Sequence, residues 1–270
     1  MKKIYGLILF SLVLVSCGDK PYHKLGEIEY QRGGEECSSM GENHWLFDVQ
    51  ARDSKDSLYM NTLTLQGKLE IHKLQLDTTL DLIRLLENTC KGDSIHLRTN
   101  AKVFYESLNG QVPQWLPENE QINVKVWVRD KLTDLQHISY KKTFESHVMA
   151  QYIEDNKWNA KRDGSTEIYL ERLKQNDGVR GENKKVLVSY VIQTLNGELI
   201  TRSTDDDPLV YSTEDKSRLK GISYIINNLS VGESARAVVP SSQAFGADGN
   251  RKVPGYTPIV IEIEILKALD

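Results

Sequence analysis

Cysteine and histidine are among the residues of this chain that could bind a metal or act as nucleophiles. The chain has three cysteines and six histidines in 270 residues. No pair of them has the short spacing that is typical of a zinc site. We therefore expect no metal and no cofactor. We interpret six histidines as structural or surface residues: His23, His44, His72, His96, His137 and His147.

Cys17 stands where a thiol could be acylated. Two lysines precede an apolar run over residues 4–15, and Leu-Val-Ser-Cys17 closes it. A charged, an apolar and a small-residue region in this order indicate a secretory signal, and the run is shorter than the roughly 20 residues of a membrane-spanning helix. The ending resembles the bacterial lipobox, which implies cleavage before Cys17 and diacylglycerol on its thiol. The anchor is then lipid rather than a helix.

Cys37 and Cys90 are the other two cysteines. An exported protein meets an oxidising environment in which such a pair can form a disulfide. The spacing of one pair does not decide whether it does, so both states stay open at this point.

The charge of the chain excludes one class of partner. The formal net charge is −4, and it becomes about −6 without the two lysines of the predicted signal. A nucleic-acid-binding domain needs a basic patch or stripe. We therefore expect no nucleic-acid partner.

The elements that must position any site occur twice. In the C-terminal half the patterns predict a short helix over residues 220–229, an extended segment over 234–239, a loop over 240–250 and a strand over 259–266. The same order recurs about half a chain earlier. When Gly92 is paired with Gly232, Tyr105 lies opposite Phe245, and a longer loop then brings Ile122 opposite Ile259.

This repeat predicts two α+β domains. Between the copies, Phe144, Val148, Tyr152 and Ile153 have helical spacing, which favours an amphipathic connecting helix. The predicted segments are a signal (1–16), a tether (17–41), a first domain (42–132), a helical linker (133–175) and a second domain (176–270).

The second half contains a series of motifs in a characteristic order. They are Val188-Ser-Tyr190, Asn196-Gly197, Leu229-Ser-Val-Gly-Glu233, Val239-Pro-Ser-Ser-Gln-Ala-Phe-Gly246, Val253-Pro254 and a closing strand over residues 259–266. From about Val179 to Asp270 this order resembles the FKBP-type peptidyl-prolyl isomerase family. The resemblance implies a curved antiparallel sheet wrapped around a short helix, with an apolar cavity between them. The first half resembles a degenerate copy.

The resemblance also implies a substrate pocket. Its residues would be Tyr190, Ile200, Thr201, Leu209, Leu219, Ile222, Phe245, Val253 and Ile261. Tyr190, Leu219 and Val253 keep the family's character, and Phe245 keeps a ring without its hydroxyl. The others depart from it: Ile200-Thr201 replace Phe-Asp, Leu209 and Ile261 replace Phe, and Ile222 replaces a tryptophan. For four of them the competing interpretation is an ordinary core position: Tyr190, Ile222, Phe245 and Ile261.

Two functions follow. The first is a membrane-anchored isomerase or chaperone that acts on proline-containing segments of exported proteins. The second is a weak or inactive binding module that serves as an accessory subunit of an outer-membrane, secretion or gliding complex. In both, the lipid places the chain at the outer membrane, facing the periplasm or the cell surface.

Overall fold

The computed structural model describes residues 21–34, 37, 41–63, 68–176, 185–204, 206–212, 215 and 218–269. The predicted signal (1–16) and Cys17 lie outside these residues. The chain divides into two units, with the boundary between Asp134 and Leu135. Within the described residues, no helix has both the length and the apolar composition needed to cross a bilayer.

The first unit is an antiparallel sheet with two short helices. Its strands follow the order β1-β2-β6-β7-β3-β4, with β5 paired to β3. The strands are β1 His23–Leu25, β2 Ile28–Gly33, β3 His44–Arg52, β4 Leu58–Asn61, β5 Leu69–His72, β6 Ser94–Asn100 and β7 Gln121–Leu132. The helices are α1 Asp81–Glu87 and α2 Ala101–Ser107, with a 3-10 turn at Lys73–Gln75.

The second unit repeats this plan and adds a long helix. Its sheet order is β11-β10-β14-β13-β9-β8, with β12 paired to β10. The strands are β8 Lys161–Arg162, β9 Tyr169–Lys174, β10 Lys185–Thr194, β11 Leu199–Arg202, β12 Leu209–Ser212, β13 Ser234–Val239 and β14 Ile259–Ala268. The helices are α3 Asp134–Asp155 and α4 Lys220–Asn227, with a 3-10 turn at Ser241–Gln243.

The two sheets have the same topology, strand for strand. Given from its other end, the second order is β8-β9-β13-β14-β10-β11, with β12 paired to β10. Each strand of the first unit therefore has a counterpart numbered seven higher in the second. The register agrees as well, because Gly92 donates to the carbonyl of Val128 and Gly232 donates to the carbonyl of Ile265. The predicted α+β class and the internal repeat are therefore confirmed.

Apolar periodicity explains why each short helix packs on its sheet. On α4 and just after it, Ile222, Ile225, Ile226 and Leu229 are buried, as are the alternate isoleucines of β14 from Ile259 to Ile265. Leu82, Ile83, Leu85 and Leu86 bury the matching face of α1. Burying a side chain of this size contributes about 1.5–3 kcal/mol. These faces form the two main cores.

A glycine turn follows each short helix and ends in a buried acid. Gly92 and Gly232 have φ of +92° and +82°, a conformation that L side chains rarely adopt. The next residue then folds back on the turn: Asp93 accepts from the Cys90 backbone N–H at 2.9 Å, and Glu233 accepts from that of Ser230 at 2.8 Å. The turn after each short helix therefore has the same backbone conformation and the same hydrogen bond to its acid.

The structure moves two predicted boundaries. The predicted tether contains β1 and β2, and Ile28 is buried in the first core. The predicted linker contains β9, which pairs with β13, and Ile168 is buried in the second core. These strands are short and largely polar, so alternation did not reveal them, and the edge of a sheet tolerates such composition.

The predicted amphipathic helix is present as α3, but it is part of the second unit rather than a linker. Met149 of α3 packs with Val238 and Val260, which lie on β13 and β14. Tyr152 and Ile153 pack against the same cluster. The second unit therefore has three layers: α4, the sheet and α3.

Cys37 and Cys90 form a disulfide, with their Cα atoms 5.5 Å apart. The backbone N–H of Cys37 also donates to the carbonyl of Asn88. The bridge fastens the segment after β2 to the end of α1. This settles the alternative that cysteine spacing left open.

Candidate functional site

Eight of the nine predicted pocket residues belong to one hydrophobic region of the second unit. Four of them are buried in its core: Ile200, Ile222, Val253 and Ile261. Four more pack against that core and stay partly exposed: Tyr190, Leu209, Leu219 and Phe245. The partly exposed set is the part of the region that a ligand could touch. The structure thus brings together residues that are up to 71 positions apart in the sequence.

Strand register explains this assembly. Tyr190 on β10 pairs with Ile263 on β14, and Leu209 on β12 pairs with Val188 of β10. Residues two apart on a strand share a face. Tyr190 and Val188 therefore face the same side as Ile261, which pairs with Ile192.

Thr201 is the exception among the predicted residues. It lies on β11 opposite Ile192 and is exposed to solvent. Its neighbour Ile200 is buried instead, and the Ile200 carbonyl accepts from Lys252 Nζ at 3.1 Å. Thr201 pairs with Ile192, whose side chain lies in the core, so its place in the pocket stays a prediction.

Phe245 is held by a tightly bonded loop. The carbonyl of Ser241 accepts from the backbone N–H groups of Ala244 and Gly246, both at 2.8 Å. Further along, Asn250 Oδ1 accepts from the N–H of Lys252 and of Val253, again at 2.8 Å. These bonds keep the ring of Phe245 against the core and bury Val253.

Glu145 of α3 anchors the start of that loop, a role that the sequence did not reveal. Its carboxylate accepts from the Ser241 backbone N–H and from Ser241 Oγ, the latter at 2.9 Å. Burial raises the pKa of the Glu145 carboxyl, while the two bonds from Ser241 lower it, with a net rise. The two donors of Ser241 offset part of the cost of burying this carboxyl group.

Gly221 lets α4 approach the base of the same loop. A Cβ on this residue would lie 2.5 Å from Val239 Cγ1 and 3.2 Å from the Gln243 carbonyl oxygen. Any side chain at position 221 would push α4 away from β13. This places Ile222 against the core.

Two clefts of the second unit lie beside this region. One has a volume of about 450 Å³ and lies between α3 and the loop, where Met149, Tyr169, Pro240 and Tyr256 line it together with charged residues. The other has a volume of about 520 Å³ and includes Tyr190, Ser203 and Glu262. Either cleft is large enough for part of an extended peptide.

The first unit has aromatic residues where the second has aliphatic ones. Strand register aligns the two units here: Met60 of β4 pairs with Ala51, and Thr201 of β11 pairs with Ile192. The residues before them, Tyr59 and Ile200, therefore occupy equivalent positions. Tyr59 lies 5.5 Å from Trp115 between ring centroids, and Tyr105 lies 5.4 Å from Phe104. Burial raises the pKa of the Tyr59 phenol above its ordinary value. The repeat alignment found Tyr105 but not its aromatic neighbours.

Comparison with known proteins supports the assignment of the second unit. Residues 179–266 match the family model of the FKBP-type peptidyl-prolyl cis-trans isomerases. The second unit therefore carries an FKBP-type domain, and the resemblance seen in the sequence is confirmed.

Two solved structures are also similar to this chain. One is a peptidyl-prolyl cis-trans isomerase from Pseudomonas syringae pv. tomato strain DC3000, with 25% identity, 47% of this chain and 94% of that chain covered, and a TM-score of 0.40. The other comprises the three FKBP domains of wheat FKBP73, with 15% identity, 93% and 99% coverage and a TM-score of 0.37.

Proposed function

We propose that the second unit binds proline-containing segments at the surface formed by Tyr190, Leu209, Leu219 and Phe245, and that it catalyses their cis-trans isomerisation slowly. One observation supports this most: these partly exposed residues converge on a single core within the residues that match the isomerase family. The loop that presents Phe245 is held on both sides by hydrogen bonds, so the surface is preformed.

Isomerisation needs no nucleophile. The barrier to rotation about the X-Pro bond is about 18–20 kcal/mol because the amide is stabilised by resonance. An apolar site lowers this barrier if it binds the twisted amide better than the planar one. Phe245 and Tyr190 supply apolar and aromatic area for such binding.

Slow turnover follows from the groups that are missing from this surface. Thr201 is exposed and carries a hydroxyl where the family has a carboxylate, so it cannot accept hydrogen bonds as a carboxylate does. Phe245 has no hydroxyl to donate, and Ile222 is smaller than the tryptophan that the family has there. If each change costs about 1.4 kcal/mol of transition-state stabilisation, each lowers the rate about tenfold.

The same substitutions favour a second candidate function, binding without turnover. In that case both units serve as docking modules of a larger assembly at the outer membrane. Peptide binding is common to both functions, and only the rate of isomerisation separates them.

The place of action rests on the signal-like start of the chain. We include in the proposal a lipid on Cys17, which would keep the protein at the outer membrane among exported clients. Each buried methylene of an acyl chain contributes about 0.8 kcal/mol. Fractionation of cells that express Cys17→Ser tests this: the variant should leave the membrane fraction, and a variant that stays there in high salt would contradict the lipid anchor.

Binding is tested by titrating the full chain with an apolar prolyl peptide and following the resonances of the second unit by NMR. Phe245→Ala should weaken binding at least tenfold. Leu199→Ala is the matched control, since Leu199 is an exposed apolar residue of β11, and it should leave affinity unchanged. Equal affinity in both variants would contradict the proposed surface.

A further inference from the structure

Two histidines and an aspartate meet at one corner of the first unit. His44 begins β3 and His72 ends β5, and the strand register pairs them directly. On its other side His44 pairs with Leu132, the last residue of β7, so that Asp134 follows two residues later. The three residues are 28 and 62 positions apart, which is why sequence spacing showed no site.

The donor atoms of this cluster converge. The imidazole rings of His44 and His72 are 4.6 Å apart between centroids. His44 Nε2 lies 3.1 Å from Asp134 Oδ1. One ligand atom from each residue lies within 4.8 Å of the other two.

An imidazole nitrogen at this corner also lacks a hydrogen-bond partner. Nδ1 of His72 is buried and has no partner among the described residues. A buried polar atom without a partner costs about 1–3 kcal/mol. Such an atom in a folded protein calls for an explanation, and an ordered water or a bound ion supplies one.

We propose that His44, His72 and Asp134 bind a divalent transition-metal ion of the zinc class, with water in the fourth position. Zinc takes imidazole nitrogen and carboxylate oxygen at about 2.0–2.2 Å in a tetrahedron, so its ligand atoms lie about 3.4 Å apart. The present separations of up to 4.8 Å would have to shorten through side-chain rotation when the ion binds. Two nitrogen ligands select against calcium and magnesium, which prefer oxygen.

A cross-strand ring pair with an ion pair is the competing description of the same residues. It accounts for the contact of His44 with Asp134 but leaves Nδ1 of His72 without a partner. A metal bound through that nitrogen supplies the partner and also offsets the negative charge of Asp134. The metal would fasten β5 to β3 and to Asp134, the last residue of the first unit, which makes its role structural.

The test is calorimetric titration of the full chain, purified without a histidine tag, with Zn²⁺. Visible absorption of added Co²⁺ reports the tetrahedral geometry. We expect one equivalent to bind and the thermal transition of the first unit to rise by several degrees. Asp134→Asn should weaken binding at least tenfold. This variant should fold like the natural chain because the Asp134 side chain is 71% exposed.

Two further variants complete the test. The double change of His44→Gln with His72→Gln should abolish binding and the Co²⁺ spectrum. His147→Gln is the matched control, since His147 is exposed on α3, and it should bind like the natural chain. The proposal fails if the natural chain binds no Zn²⁺ at micromolar concentration, or if one equivalent still binds to the double variant or, with unchanged affinity, to Asp134→Asn.

Discussion

The two units share a strand order but differ in the residues that fill it. In the first unit, Tyr59 and Trp115 pack together and a disulfide fastens the end of α1. In the second, aliphatic residues such as Ile200 and Ile222 take the inward positions, and α3 covers the other face of the sheet. Backbone topology is thus conserved between the halves while the side chains of the site diverge. A shared fold therefore does not give the units a shared activity.

The shared part depends on a few features of the backbone. The glycine turns at Gly92 and Gly232 and the buried acids after them recur with the same hydrogen bonds. The backbone carbonyls at the ends of α1 and α4 accept hydrogen bonds from different side chains. Lys131 Nζ donates to the carbonyls of Leu86, Glu87 and Thr89 in the first unit, whereas Arg172 donates to the Asn228 carbonyl in the second.

The largest effect is expected when the second unit is shortened at its N-terminal side, and it concerns the cooperativity of unfolding. A fragment of residues 133–270 keeps α3 and β9 and should unfold cooperatively. A fragment of residues 176–270 loses both, exposes Val238 and Val260, and should show no cooperative transition. Calorimetry of the two fragments checks this. Equal cooperative melting of both would mean that α3 and β9 add nothing to the core.

The next largest effect is expected from removing the disulfide, which should destabilise the first unit and not the second. Closing a loop between cysteines 53 positions apart stabilises a domain by about 4 kcal/mol through the entropy of the unfolded chain. The double change of Cys37→Ser with Cys90→Ser should lower the free energy of unfolding of the first unit by about that amount. Urea unfolding followed by NMR resolves the units. A comparable loss in the second unit would contradict the assignment of the bridge to the first.

A smaller effect on stability is expected for Lys131, whose ammonium caps the end of α1. Lys131→Met should cost about 2 kcal/mol because three carbonyls lose a charged donor. Lys91→Met is the control: its ammonium is two-thirds exposed and pairs with Asp130, so the loss should stay below about 1 kcal/mol. Urea unfolding of the first unit measures both. Equal losses would show that Lys131 is not a cap.

Lys131 also predicts a pH dependence. Burial lowers its pKa to about 8, whereas an unfolded lysine titrates near about 10.4. Between these values the unfolded chain binds more protons than the folded one, so the stability of the first unit should rise with pH. Thermal melts from pH 8 to pH 10 check the slope, which Lys131→Met should remove.

The smallest effect on stability is expected for Glu145, which anchors the loop after β13 through Ser241. Because the pKa of Glu145 is raised in the folded state, its contribution to stability is greatest below the unfolded value and is lost as pH rises through the folded value. Glu145→Gln should remove this dependence and change stability at neutral pH by about 1 kcal/mol or less. Melts of the second unit between pH 4 and pH 7 measure it. An unchanged pH profile would contradict the role of Glu145.

The sequence predicted the features that have a strong period or a distinctive turn. The α4 face, the isoleucines of β14 and the glycine turns are confirmed, and so is the repeat. Short polar strands such as β9 carry no such signal, so the boundary at Asn176 was too late. Contacts between distant residues were not visible either: Glu145 and Ser241 are 96 positions apart.

The site was predicted in part for the same reason. Alternation and motif order placed Tyr190, Phe245 and Ile261 on one core. The place of Thr201 in the pocket stays a prediction, because its side chain is exposed and the motif alignment does not show how it is oriented. The aromatic group around Tyr59 was missed because its members come from separate loops and strands.

The central claim is that the second unit binds prolyl segments but turns them over slowly. The most direct measurement is a protease-free isomerisation assay by NMR exchange on the full chain. It is run beside Phe245→Tyr and beside the double change of Thr201→Asp with Ile222→Trp. We expect weak activity in the natural chain and a gain of up to about tenfold with Phe245→Tyr. The double variant, which supplies the carboxylate and the indole of the family, should also gain activity. Fast turnover in the natural chain that does not respond to changes at these positions would contradict the account.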